Sequence, residues 1–167
     1  MKSLTSRIVL ILIVLFVLIQ LFPVNRTNPP VESEIEAPDE IHAILDRSCY
    51  DCHSNNTRWP WYAYVAPVSW LVARDVNHGR ENMNFSTWNA YDTEEKSHLL
   101  DEVYEVIDEG EMPMPIYLPL HPEAKLSDED KQLLMNWAVE ANAQLFDQTI
   151  HEEAAEPTSH DEAMESQ

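Results

Sequence analysis

Cys49-Tyr50-Asp51-Cys52-His53 is the stretch on which the fold and chemistry of this chain turn. Two cysteines separated by two residues and followed at once by histidine have the spacing of a c-type haem attachment site. Each thiol can bond one vinyl-derived carbon of a porphyrin, and the adjacent histidine then lies under the ring to bind iron. Cys49 and Cys52 are the only cysteines in 167 residues, so no other thiol competes. A redox dithiol or half of a zinc site can share the spacing. Zinc needs further ligands at short intervals, and His42, His78, His98, His121, His151 and His160 form no such pair. A thioredoxin-like dithiol belongs in a βαβ pattern, and none is visible. The motif therefore implies one covalent haem c on Cys49 and Cys52, with His53 as the proximal iron ligand.

The N-terminus agrees with that reading. Residues 8–22, IVLILIVLFVLIQLF, are apolar except for Gln20, and Lys2 and Arg7 precede them. This is the charge pattern of an export signal with its positive end held in the cytoplasm. No small-x-small cleavage site follows, so residues 1–24 are expected to be an uncleaved signal anchor forming a transmembrane helix. A cleaved signal peptide is the competing reading. Fifteen helical residues span roughly 22 Å against about 30 Å of hydrocarbon, so flanking residues must help. Either way the remainder is exported, which places the haem domain on the periplasmic side of the cytoplasmic membrane.

All 30 acidic residues lie beyond the anchor, with eight Lys and Arg, for a formal charge of −22. Such a surface argues against nucleic acid as a partner and suits a redox partner with a basic docking surface. Residues 25–37 read as a polar, proline-bearing linker. Residues 38–147 hold nearly all the remaining large apolar side chains, enough for one small domain. Residues 148–167 are an acidic tail with little to bury and are expected to be disordered.

The domain reads as all-α. A first helix, about 39–48, has Asp39 as its cap and Ile41, Ile44 and Leu45 on one face. A second, about 67–78, carries Val68, Leu71 and Val72, with Gly79 as its stop. A third starts from Asp92 and Glu95 in a capping-box pattern, presents Leu99, Leu100, Val103, Val106 and Ile107, and ends at Gly110. A fourth begins at Ser127 before three acidic residues and buries Leu133, Leu134, Trp137, Ala141 and Leu145. A helix leading into Cys-x-x-Cys-His and a helix closing the domain resemble class I cytochrome c.

A six-coordinate haem needs a second ligand opposite His53. Gly110-Glu111-Met112-Pro113-Met114-Pro115 is the best source, since proline fixes the backbone around each thioether. Neutral sulfur also favours Fe(II) and raises the potential. Met112 and Met114 compete, and His121 and His78 are the alternatives. The aromatic run Trp59-Pro60-Trp61-Tyr62-Ala63-Tyr64, with Trp70, could wall a haem, and Arg58, Arg74 or Arg80 could meet a propionate.

Residues 49–88, CYDCHSNNTRWPWYAYVAPVSWLVARDVNHGRENMNFSTW, and 110–130, GEMPMPIYLPLHPEAKLSDED, resemble the bacterial haem-binding domain family, small exported proteins built around one Cys-x-x-Cys-His. The Ser-Asn-x-Thr-x-Trp-Pro-Trp-Tyr continuation is far more specific than the pentapeptide. The resemblance covers nearly all of residues 38–147 and implies haem binding without a particular reaction. The family's Met-Pro after Gly-Glu falls on Met112-Pro113, which implies Met112 as the distal ligand. The expected protein is a membrane-anchored monohaem c-type cytochrome carrying single electrons. The alternative is a haem sensor or peroxidase-like protein with a displaceable distal ligand, in which His78 or His121 would serve as acid–base group.

Overall fold

Helix boundaries follow from side-chain and backbone chemistry at each end. The structure, a computed structural model, describes residues 2–155, with side chains from 4 to 148. Among the described residues there are six α-helices and no strand: α1 Lys2–Ile19, α2 Asp39–Ser48, α3 Tyr50–His53, α4 Val68–Asn82, α5 Thr93–Asp108 and α6 Asp128–Ala155. The all-α expectation therefore holds. Asp92 and Glu95 close the capping box that starts α5. Ser127 Oγ accepts from the Asp130 amide at 3.1 Å, while the Ser127 amide donates to Asp130 Oδ2 at 2.8 Å, which starts α6. Gly110, at φ 73°, ends α5. The N-cap of α2 is Pro38, and Asp39 is its first helical residue, placed to favour the positive helix end.

The chain forms two compact units. The first comprises Met1–Ala90 with Pro122–Ala124, and the second Tyr91–His121 with Lys125–Gln167. In the second, α5 packs on α6. Leu99, Leu100, Val103 and Ile107 are buried on α5, and Leu134, Met135, Trp137 and Ala138 on α6. Leu133, Val106, Ala141 and Leu145 sit at the margin of these faces. Asn142 Nδ2 donates to Asp101 Oδ1 at 2.8 Å across the pair. α6 continues through residues 148–155 of the expected acidic tail, and residues 156–167 lie outside the described residues.

In the first unit α3 packs on α4 and follows α2. The face that α4 buries differs from the expected one. Ser69, Ala73, Val76 and Gly79 are buried, while Val68 and Leu71 are exposed. At Gly79 the backbone of α3 comes close, which leaves no room for a side chain. Gly79 does not stop the helix; it lies inside α4 with the Cys52 carbonyl against it. The segment expected as a linker, residues 25–37, is bonded along this unit. The Glu32 and Ser33 amides donate to Ser86 O at 3.0 and 3.1 Å, the Ile35 amide donates to Phe85 O at 3.0 Å, and Ile35 is buried.

Helix α1 is shorter than a span requires. Its uninterrupted apolar stretch, residues 8–19, covers about 18 Å against about 30 Å of hydrocarbon. No helix among the described residues is long and apolar enough to cross a membrane. Gln20, the polar residue in the run, follows the end of α1. Its Nε2 donates to Phe16 O at 3.0 Å and to Ala66 O at 3.1 Å, and the Ala66 amide donates to its Oε1 at 2.9 Å.

Candidate functional site

Helix α2 delivers the chain into the Cys-x-x-Cys-His turn. Cys49 leaves α2 at φ −125°, ψ −36°, and its amide still bonds Leu45 O at 2.8 Å. Its carbonyl then accepts from the Cys52 and His53 amides at 3.1 and 2.9 Å. The two thiols thus stand one helical turn apart on one face. Desolvation pushes the Cys49 thiol up to about 12, reinforced by Cys52 and opposed by Arg47. Cys52 is pushed up to about 11, by desolvation first and then by Asp51 and Asp75. Both side chains are thereby held as neutral thiols, and both are free cysteines.

His53 is oriented by the backbone of the neighbouring segment. Its Nδ1 lies 3.1 Å from the Met83 carbonyl, and the Phe85 amide donates to the His53 carbonyl at 2.8 Å. A proton on Nδ1 given to Met83 leaves the Nε2 lone pair for a metal. Desolvation lowers the ring's pKa, against the carbonyls of Met83 and Gly79, which favour the charged form. Phe85, buried, stacks on Tyr50 at 5.5 Å between ring centroids and lies 6.3 Å from the His53 ring.

The residues after His53 form a clasp around the turn. Ser54 Oγ donates to Tyr50 O at 2.7 Å and accepts from the Asn56 amide at 3.0 Å. The Asn55 amide donates to Ser86 Oγ at 3.0 Å. Asn55 Nδ2 donates to Pro30 O at 2.8 Å, and its Oδ1 accepts from Asn84 Nδ2 at 2.9 Å. Thr57 Oγ1 donates to Asp51 O at 2.8 Å and accepts from Arg80 Nη2 at 2.8 Å. Arg80 also donates to Ser54 O at 2.8 Å, Thr27 O at 3.0 Å and Asn28 Oδ1 at 3.1 Å. One guanidinium therefore joins the segment before α2, the clasp and α4. The Ser-Asn-x-Thr part of the family-like continuation thus has a structural role, since the side chains of Ser54, Asn55 and Thr57 carry these bonds.

The second unit presents the methionines from a helix end. The Gly110 amide donates to Ile107 O at 3.2 Å and the Glu111 amide to Val106 O at 2.9 Å, a Schellman closure of α5. The Met112 amide shares Val106 O at 3.2 Å, so its backbone is fixed directly to the helix. Met114 lies in the next turn, its carbonyl accepting from the Tyr117 amide at 2.9 Å. Both side chains are half-buried.

These features suit a haem. Two neutral thiols sit one turn apart, a histidine nitrogen follows them, and Ser48, just before Cys49, keeps a buried hydroxyl without a partner. Among the described residues no group of three or more His, Cys, Asp or Glu could hold a bare metal ion. Residues 14–140 match the family described as "Haem-binding domain". The chain belongs to the haem-binding domain family.

This haem-binding domain is also similar to the cytochrome c peroxidase Ccp of Escherichia coli, 23% identical over 129 residues. The match covers 73% of this chain and 28% of that protein, so the chain spans little more than a quarter of its relative's length. No solved structure matches.

Other residues singled out in the sequence take different positions in the haem-binding domain. Arg58 is committed to Asp51 Oδ1 at 3.2 Å and Asp46 Oδ2 at 3.1 Å, and Arg74 to Asp75 at 2.8 Å. His78 is exposed beside Glu81. His121 stacks on Tyr117 with centroids 4.0 Å apart. The aromatic run divides: Trp59 Nε1 donates to Asn28 Oδ1 at 3.1 Å, whereas Trp61, Tyr64 and Trp70 are exposed. Phe85 was not singled out, because a lone Phe in a loop carries no periodic signal.

Proposed function

We propose that this haem-binding domain protein is a membrane-anchored, periplasm-facing monohaem c-type cytochrome that carries single electrons. The observation that carries the proposal is the His53 ring, held by Met83 O one residue after two thiols on a single turn. Cys49 and Cys52 would hold the porphyrin as thioethers, each thiol adding its S–H across one vinyl group with no oxidant consumed. When bound, the haem supplies a one-electron Fe(III)/Fe(II) couple. His53 would hold the iron, and the Met-Pro position of the family resemblance would make Met112 its second ligand. The clasp from Ser54 to Thr57 keeps the turn in place. The acidic surface, formal charge −20 over the whole chain, favours a partner with a basic docking surface. Lys2 and Arg7 favour retention of the N-terminus in the cytoplasm, with α1 as the anchor.

A second reading, a peroxidase-like or sensory haem protein with a displaceable distal ligand, draws support from the similarity to Ccp. It needs an acid–base side chain facing the distal side. The exposed, Glu81-flanked position of His78 does not favour that residue.

The test is the intact mass of the exported protein after denaturation and thiol reduction. A gain of one haem establishes thioether attachment. An unmodified mass, from cells that mature other c-type cytochromes, overturns the proposal and returns Cys49 and Cys52 to a dithiol role.

A further inference from the structure

α4 turns its small residues inward, so its large apolar ones face out. Val68, Trp70 and Leu71 are exposed on its first turn. The 3₁₀ turn Trp61–Tyr64, which packs beside α4, adds Trp61 at 77% exposure and Tyr64 at 59%. These residues bracket Ala66, whose amide and carbonyl both bond the Gln20 side chain at the end of α1. Arg26 strengthens the same junction. Its Nη1 donates to Ala63 O at 3.3 Å, and its guanidinium carbon lies 4.5 Å from the Tyr64 ring centroid. The aromatic patch therefore stands at the C-terminal end of an apolar helix that is exposed on every face.

We infer that Trp61, Tyr64, Val68, Trp70 and Leu71 form a lipid-docking face that lies in the bilayer interface at the end of α1. The inference rests on the anchor reading and extends it. Length is the first argument. The apolar stretch of α1 gives about 18 Å, roughly 12 Å short of the hydrocarbon thickness. A short span is accommodated by drawing flanking residues toward the bilayer. Lys2 and Arg7 can do so at one end by snorkelling. At the other end the Gln20–Ala66 bonds make the aromatic patch the flanking group. Chemistry is the second argument. Trp and Tyr are enriched at the interface, where an apolar ring body and a polar edge are both accommodated. Arg26, beside Tyr64, lies at the level of lipid phosphates. Charge is the third. A chain of formal charge −20 is not drawn to anionic headgroups, so the contact is apolar and insensitive to salt.

The full chain, reconstituted in phosphatidylcholine nanodiscs carrying a diazirine at the glycerol level of the lipid, tests this by photo-crosslinking and mass spectrometry. Crosslinks on α1 and on the 61–71 segment, unchanged in about 1 M salt, are expected. Crosslinks on α1 alone overturn the docking face and leave the anchor standing; the patch is then free for a protein partner. Absence of crosslinks from both overturns anchor and docking face together. Crosslinks on 61–71 that vanish at high salt overturn the apolar character of the contact.

Discussion

Gly79 of α4 lies directly against the Cys52 carbonyl, so close that a Cβ at position 79 would stand 2.6 Å from that oxygen. The contact ties the second thiol's backbone to the helix that carries Arg80. A larger side chain at position 79 would push α3 away and move Cys52 and His53 with it.

Gly79→Ala sets two effects against each other. Alanine in a helix interior is favoured over glycine by about 0.8–1 kcal/mol. The added methyl meets backbone, which no rotamer change can relieve, and overpacking of this kind costs about 1–3 kcal/mol. The steric effect should win, lowering the urea midpoint without changing the slope, together with reduced haem loading. A Gly79→Ala protein more stable than the parent would show that the approach of α4 to Cys52 is loose.

Arg80→Lys keeps the charge and loses the fork. The planar guanidinium serves Ser54 O, Thr27 O, Asn28 Oδ1 and Thr57 Oγ1 together, which a single ammonium cannot match in position. Leaving one or two of these acceptors unpaired should cost about 1–3 kcal/mol. Hydrogen exchange should rise first at residues 27–35, the segment that Arg80 bonds to the clasp. Equal protection in both proteins would mean that the segment is held without Arg80, by bonds such as those to the Ser86 and Phe85 carbonyls and from Asn55 to Pro30 O.

Asn55 and Asn56 are adjacent and chemically identical, yet they should respond differently. Asn55→Ala removes the acceptor of one Asn84 amide bond and the donor to the Pro30 carbonyl, a loss of about 1–3 kcal/mol. Asn56 is exposed, and Asn56→Ala should stay within about 0.5 kcal/mol. Thermal or urea denaturation of the two variants checks the contrast. Similar losses from both would contradict the bonding of the clasp.

That contrast marks where sequence reading stops. Helices α2, α5 and α6 were legible because their apolar residues recur at helical spacing and the ends of α5 and α6 carry Asp92–Glu95, Gly110 and Ser127 in recognisable patterns. The haem-binding reading was legible from the Cys-x-x-Cys-His spacing, and the family match agrees with haem binding. Helix α4 starts where expected but runs past Gly79 to Asn82, and its buried side was not foreseen. Hydrophobicity ranks Val68 and Leu71 above Ser69 and Gly79, whereas at Gly79 the close approach of α3 selects by size. The segment 25–37 looked like a linker because its partners are backbone carbonyls and amides, which have no sequence signature. The clasp depends on partners about thirty residues away, such as Asn84 and Ser86, and no local pattern announces them.

Met112 and Met114 give the last contrast. Sulfur ligation favours Fe(II), so removing the ligating thioether should lower the reduction potential and open the reduced iron to carbon monoxide. The family's Met-Pro after Gly-Glu falls on Met112, whose amide is bonded to the last turn of α5 behind the Gly110 closure. Met112→Ala should therefore show both changes, and Met114→Ala neither. Redox titration and carbon monoxide difference spectra read the two effects independently, so a mere loss of packing, which Met114→Ala would share, is separated from loss of a ligand. If Met114→Ala gives the changes instead, the ligating sulfur lies one Met-Pro unit further along. If both variants keep the parent's potential and exclude carbon monoxide, the distal ligand is not a thioether of this loop, and His121, stacked on Tyr117, becomes the residue to replace.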